Sequence, residues 1–110
     1  MYAKIEGVIH EGYATDLLIF KSIYGKLYLT RDSLIFDSYK YTPGYRDSGY
    51  YLSEYPLKSI VKIRLGNRFL ILPTKIILEL DNGEKVRFSV KKRKVWLEQI
   101  RRVRPIDVRL

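Results

Sequence analysis

Cysteine is absent from these 110 residues, and histidine, tryptophan and methionine each occur once. The lack of cysteine removes disulfides, thiolate nucleophiles and thiolate metal sites together. His10 has no second histidine or cysteine to share a metal with, and no G-x-S-x-G motif offers it a nucleophile. Glycine-rich phosphate loops are missing. The carboxylates Asp81 and Glu84 flank a turn, where acids serve conformation. No catalytic residue, metal or cofactor is expected, so the chain reads as a non-enzyme. No apolar run nears the roughly 20 residues that cross a bilayer. Among the longest, "LLIF" from Leu17 to Phe20 is strand-sized. "MYAKIEGVIHEG" at the N-terminus has no signal-peptide core, which points to a cytoplasmic protein, with peripheral membrane association left open. Asparagine occurs only at Asn67 and Asn82 and glutamine only at Gln99, while 30% of residues are charged. Few thermolabile residues and many charges lean toward a thermophilic source.

What is present is enough apolar material for one core. The hydrophobic fraction is 46%, and the length suits a single domain over residues 1–110. Charge is the second positive feature. The formal net charge is +9, and it is unevenly placed. Residues 85–110 hold ten Lys and Arg against Glu98 and Asp107, a net of +8, which leaves +1 for residues 1–84. Such asymmetry favours an anionic partner without naming one.

Most of the chain reads as short strands. Residues 16–21, "DLLIFK", are apolar and β-prone. "GKLYLT" alternates, with Leu27 and Leu29 on one face and Lys26, Tyr28 and Thr30 on the other. A turn at "RD" leads to "SLIFDSYKY", with Leu34 and Phe36 inward. Pro43, Gly44, Asp47, Ser48 and Gly49 mark a longer connection before "YYLSEYP", a strand broken by Pro56. In "SIVKIRLG", Val61, Ile63 and Leu65 are expected on one side and Lys62 and Arg64 on the other. "KIILELDNGEKVRFSV" reads as a hairpin, its Asn82-Gly83 suited to a type I′ turn. Ile76, Leu78 and Leu80 then share a face with Val86, Phe88 and Val90, and Lys85, Arg87 and Ser89 face out. In the tail the period becomes helical. Trp96, Leu97, Ile100 and Val103 form one stripe, Lys91, Lys94, Arg101 and Arg102 lie opposite with Glu98, and Pro105 ends the helix. Residues 1–13 have no assigned element, and 105–110 read as a short tail.

About seven short strands and one terminal helix make a mostly β domain, a small barrel or sandwich closed by the helix. "GKLYLTRDSLIF" resembles the paired second and third strands of GRAM and bacterial-type pleckstrin-homology (PH) domains. "YPLKSIVKI" is similar to the segment that follows in that family, and the "DNGEKVRFSV" hairpin before a Trp-bearing helix keeps its order. The likeness spans about residues 14–104. It implies a PH-like barrel of seven strands in two orthogonal antiparallel sheets, capped by the C-terminal helix. It also implies a binding module for lipid headgroups or proteins. In members that hold phosphoinositides, bases cluster where the first strand ends and the second begins. The matching positions are Lys21, Lys26 and Arg31, with Ser22, Ile23, Tyr24 and Gly25 between the first two.

Two surfaces are candidates. The basic one comprises Lys85 and Arg87 on the hairpin and Lys91, Lys92, Arg93 and Lys94 at the helix start, gathered at one end of the barrel. Arg101, Arg102 and Arg104 suit a helix C-terminus, whereas positive charge at residues 91–94 opposes the helix dipole. The second is aromatic. Tyr39, Tyr41, Tyr45, Tyr50, Tyr51 and Tyr55 fall within seventeen residues, as a binding loop or a cross-strand ladder. The expected partner is a protein or an anionic lipid headgroup. The alternative is a small nucleic-acid-binding β-barrel, with Tyr28, Tyr39, Tyr41 or Tyr51 as stacking platforms beside bases. Homo-oligomerisation is a third possibility, in which the charge maintains solubility.

Overall fold

The structure is a computed structural model, and it describes residues 5–18, 22–38, 52–68 and 71–109. Eight strands and one α-helix follow in the order β1 (His10–Leu17), β2 (Ser22–Leu29), β3 (Ser33–Asp37), β4 (Leu52–Pro56), β5 (Ile60–Arg68), β6 (Leu72–Leu80), β7 (Lys85–Val90), α1 (Arg93–Val103) and β8 (Asp107–Arg109). They form one open sheet in the order β4-β3-β2-β1-β7-β6-β5-β8. All neighbours are antiparallel except β5 and β8. β1 pairs with β2 from His10 to Leu17 but with β7 only from Ala14 to Asp16. The sheet therefore divides at β1 into two halves that enclose one core. Leu27, Leu34 and Phe36 of the first half join Ile63, Ile76 and Phe88 of the second in a single buried cluster. The rings of Phe36 and Phe88 lie 5.3 Å apart across it.

The helix completes the core through the expected stripe. Trp96 and Ile100 are buried, and Leu97 and Val103 pack against the cluster. Trp96 meets His10 edge to face at 4.4 Å. It also lies alongside Gly12, where an added methyl would touch its ring at 3.6 Å. This explains why β1 is hard to see in the sequence. The strand occupies His10–Leu17 rather than residues 16–21. Its core-side positions are small or polar, Gly12, Ala14 and Asp16, and Gly12 lies against the indole. The apolar alternation that betrays a strand is missing there.

Five other expectations change. Among the described residues eight strands replace seven, since "DVR" after the helix adds to β5 in parallel instead of trailing as a tail. The edges β4 and β8 remain apart, so the barrel is not closed. Val61 is 55% exposed, not inward, because the pairing slips between Ile60 and Lys62 and leaves Val61 as the extra residue of a bulge. The β6–β7 turn is not type I′. Of its residues only Gly83 has positive φ, at 89°, and the Gly83 amide donates to the Leu80 carbonyl at 3.0 Å. That is a three-residue loop with glycine in the left-handed position. The helix starts at Arg93, which leaves Lys91 and Lys92 in the connection from β7. Of the tyrosine-rich stretch only Tyr55 is described, half-buried and 6.0 Å from Phe88; Tyr39, Tyr41, Tyr45, Tyr50 and Tyr51 lie outside the described residues.

Candidate functional site

The predicted basic residues do not converge. Lys85 opens β7 and Lys91 follows its end, so a six-residue strand separates them by about 20 Å. At the first end, Lys85 and Arg87 border a cleft of about 310 Å³ together with Asp16, Glu84 and Tyr55. Acids and bases face each other there, and the local field is mixed. Lys21, expected at this end, lies outside the described residues. Arg31 is exposed in the β2–β3 turn and borders a different surface with Lys58 and Arg104.

At the other end of β7 the character is different. A cleft of about 380 Å³ opens between the outer faces of β1–β2 and the start of β6. Tyr13, Tyr24, Leu72 and Val90 line it with Thr74, Ser89 and Lys91. Among the described residues on its walls, Lys91 is the one that carries a charge. The Thr74 and Ser89 hydroxyls bond to each other at 2.8 Å, which satisfies both. Lys92 and Lys94 follow Lys91 and are exposed. Tyr13 and Tyr24 are 64% and 46% exposed.

Lys26 extends this surface along β2. Its ammonium lies 3.3 Å from the Glu11 carboxylate and 5.7 Å from the ring centres of Tyr13 and Tyr28. Burial works against its charge, but the bond and attraction of Glu11, with Tyr28 and Tyr13, outweigh that and hold its pKa above the ordinary value of 10.5. Tyr28 is half-buried in this arrangement. Tyr13 and Tyr24 were not anticipated as site residues. Tyr24, Lys26 and Tyr28 alternate in "SIYGKLYL", so their common face is legible once β2 is started at Ser22 instead of Gly25. Tyr13 fell in the segment without an assigned element.

The chain turns from β7 into α1 at a conformational cost. Lys92 is the only non-glycine described residue with positive φ, at 54°. It caps the helix without a side-chain bond, and the first turn has no acid. Arg93 is committed elsewhere. It is half-buried, and one guanidinium nitrogen donates to the Gly66 carbonyl at 2.8 Å and the Lys75 carbonyl at 3.2 Å. The start of the helix is thereby tied to the β5–β6 hairpin.

Among the described residues no helix is long and apolar enough to cross a membrane, and no group of three His, Asp or Glu stands close enough to hold a metal. No protein-family model and no curated protein sequence matches the chain. Solved structures do. The C-terminal domain of an unknown protein from Leishmania infantum superposes with a TM-score of 0.72 at 10% identity, covering 87% of this chain and 82% of that one. The PH domain of Slm1, solved in complex with inositol-4-phosphate, gives 0.61 at 14% identity over 91% of this chain and 95% of that one. The linker-DH/PH structure of p115-RhoGEF gives 0.61 at 15% identity, over 87% of this chain but only 28% of that longer one. The strand order, the terminal helix and these superpositions agree: the chain has a PH-like fold.

Proposed function

We propose that the chain is a non-catalytic PH-type binding module, residues 1–110 acting as one unit, that docks on an anionic surface through the junction of β7 and α1. Lys91, Lys92 and Lys94 make the contact, with Lys26 at its margin. The favoured surface is a membrane carrying acidic headgroups; an acidic protein face offers the same charge. One observation carries this reading. Lys92 holds a left-handed conformation that costs an L-residue roughly 1–2 kcal/mol. It also stands with Lys94 at a helix N-terminus where each positive charge is unfavourable. Glycine and an acid would suit these positions better for folding alone. A basic cluster kept against stability supports a role in binding.

The neighbouring folds supply a chemical parallel. Slm1-PH has been solved with inositol-4-phosphate and with phosphoserine. Phosphate is common to both, and lysine ammonium groups meet it as point charges. Lys85 and Arg87 stand apart from this site among acids, and a direct role there is a separate contribution.

A second reading has its own support. Tyr13 and Tyr24 stand exposed beside Lys26 and Lys91, an aromatic and basic pairing suited to single-stranded nucleic acid. Co-sedimentation with phosphatidylcholine vesicles, with and without phosphatidylserine, tests the first reading, and a single-stranded RNA shift at two salt concentrations tests the second. Sedimentation only with the anionic vesicles is expected. RNA binding with a steep salt slope and no vesicle binding would transfer the assignment to nucleic acid.

A further inference from the structure

Resting on the membrane reading above, we infer that contact is more than electrostatic: the tip of the β5–β6 hairpin, at Ile71 and Leu72, inserts into the lipid interface. Arg68 pairs with Leu72, so Ile71 stands in the turn between the two strands. Ile71 is 78% exposed, the highest value among the large apolar side chains exposed in the described residues. Leu72 is 45% exposed and lines the cleft that holds Lys91. Single exposed apolar residues need no explanation. Here Leu72 borders one cleft with two exposed tyrosines, Tyr13 and Tyr24, and the exposed Ile71 immediately precedes it in the turn. Aliphatic groups reaching the acyl boundary, tyrosines at headgroup depth and lysines toward acidic phosphates form the layered pattern of a peripheral membrane contact.

Charge decides between a bilayer and other occupants. Among the described residues the walls of the cleft carry a lysine and no acid, and Glu11 nearby is engaged by Lys26. An apolar peptide would leave the lysines unmatched. Stacked bases would use the tyrosines but not Ile71 or Leu72. An anionic bilayer satisfies both sets at once. The hairpin is also held firmly for such a task, because Arg93 ties the carbonyls of Gly66 and Lys75 to the start of the helix. The hairpin that carries Ile71 and Leu72 is thus bonded to the helix start beside the basic cluster.

The absence of cysteine makes the test direct. Ile71→Cys carries an environment-sensitive nitrobenzoxadiazole label at the hairpin tip, and Asn82→Cys carries it at the β6–β7 turn, at the opposite end of β6. Each is mixed with phosphatidylcholine–phosphatidylserine vesicles containing lipids spin-labelled in the acyl chain. The expected result is brightening and quenching at residue 71 with no response at residue 82. Sedimentation of the protein with no quenching at residue 71 overturns insertion while leaving the charged contact standing. Quenching at residue 82 instead places the contact at the other end and overturns it too. No vesicle binding at all removes both the insertion and the reading it rests on. A response at residue 71 to single-stranded RNA and not to vesicles assigns the face to nucleic acid and likewise overturns it. In unlabelled protein, Ile71→Asp with Leu72→Asp is expected to weaken anionic vesicle binding roughly 10-fold or more. Both side chains are exposed, so the emission of the buried Trp96 should report an unchanged fold.

Discussion

Lys92→Gly should move folding and binding in opposite directions. The substitution removes an L-residue from φ of 54°, worth roughly 1–2 kcal/mol. Glycine returns about 0.5–1 kcal/mol of that through its greater freedom in the unfolded chain. Losing a positive charge at the helix N-terminus adds about 0.3–1 kcal/mol in favour of folding. The balance is a stabilisation of about 1 kcal/mol. With a urea slope of about 1–3 kcal/mol/M, the midpoint should rise by roughly 0.5 M. The same change removes one lysine from the proposed membrane contact, about 1 kcal/mol, or roughly a 5-fold weaker partition onto anionic vesicles. Urea denaturation followed by the emission of Trp96 reads the first quantity and vesicle sedimentation the second. Lys91→Gln separates the two effects, since Lys91 lies outside the helix and its φ is negative. It should weaken binding by the same factor and leave the midpoint unchanged. A midpoint that falls in Lys92→Gly would show that Lys92 serves the fold. Undiminished vesicle binding would break the link between the strained lysine and function.

Three further changes test how the site is held. Gly25→Ala should destabilise by about 3 kcal/mol or fail to fold, because the new methyl collides with the Asp37 carbonyl and comes within 2.9 Å of both the Phe36 ring and the Ser38 backbone; urea denaturation measures it. Arg93→Met removes the bonds to the Gly66 and Lys75 carbonyls and should cost about 1.5–3 kcal/mol, with amide hydrogen exchange rising at the β5–β6 hairpin; unchanged exchange there would mean the tie is not structural. The Lys26–Glu11 pair should stabilise at neutral pH and, on the alkaline side, lose its contribution as pH rises through the raised pKa of Lys26. A lysine whose folded pKa exceeds its unfolded value of 10.5 favours folding below that pH and ceases to do so above it. Glu11→Gln should therefore cost under about 1 kcal/mol at pH 7 and nothing at strongly alkaline pH, as read by urea titrations at both.

The end of the molecule opposite the helix junction illustrates why charge counts alone mislead. Lys85 and Arg87 contribute to the same positive quarter of the sequence as Lys91 and Lys92. Strand β7 carries them to different neighbours, acids in one case and tyrosines with Leu72 in the other. A basic tally in sequence is a statement about long-range attraction. The local contact depends on what other strands bring alongside.

Several features are determined by the sequence alone. The hairpin of β6 and β7 is one, because Ile76, Leu78, Phe88 and Val90 alternate around a glycine-bearing turn and every inward residue is apolar. The helix stripe led by Trp96 is another, since its period is set within one element. Local periodicity needs no knowledge of neighbours. The helix-opposed charge at residues 91–94 is equally local. Strand β1 depended on the tertiary structure, for its core-side positions Gly12, Ala14 and Asp16 are small or polar and its place in the sheet is set by pairing with β2 and β7. So did the outward turn of Val61, which follows from a slip in pairing with β6 that no pattern within β5 encodes. The union of Tyr13, Tyr24, Leu72 and Lys91 was likewise decided in three dimensions. Those residues come from β1, β2, β6 and the β7–α1 connection, and the order of strands in the sheet, not their order in the chain, brings them to one cleft.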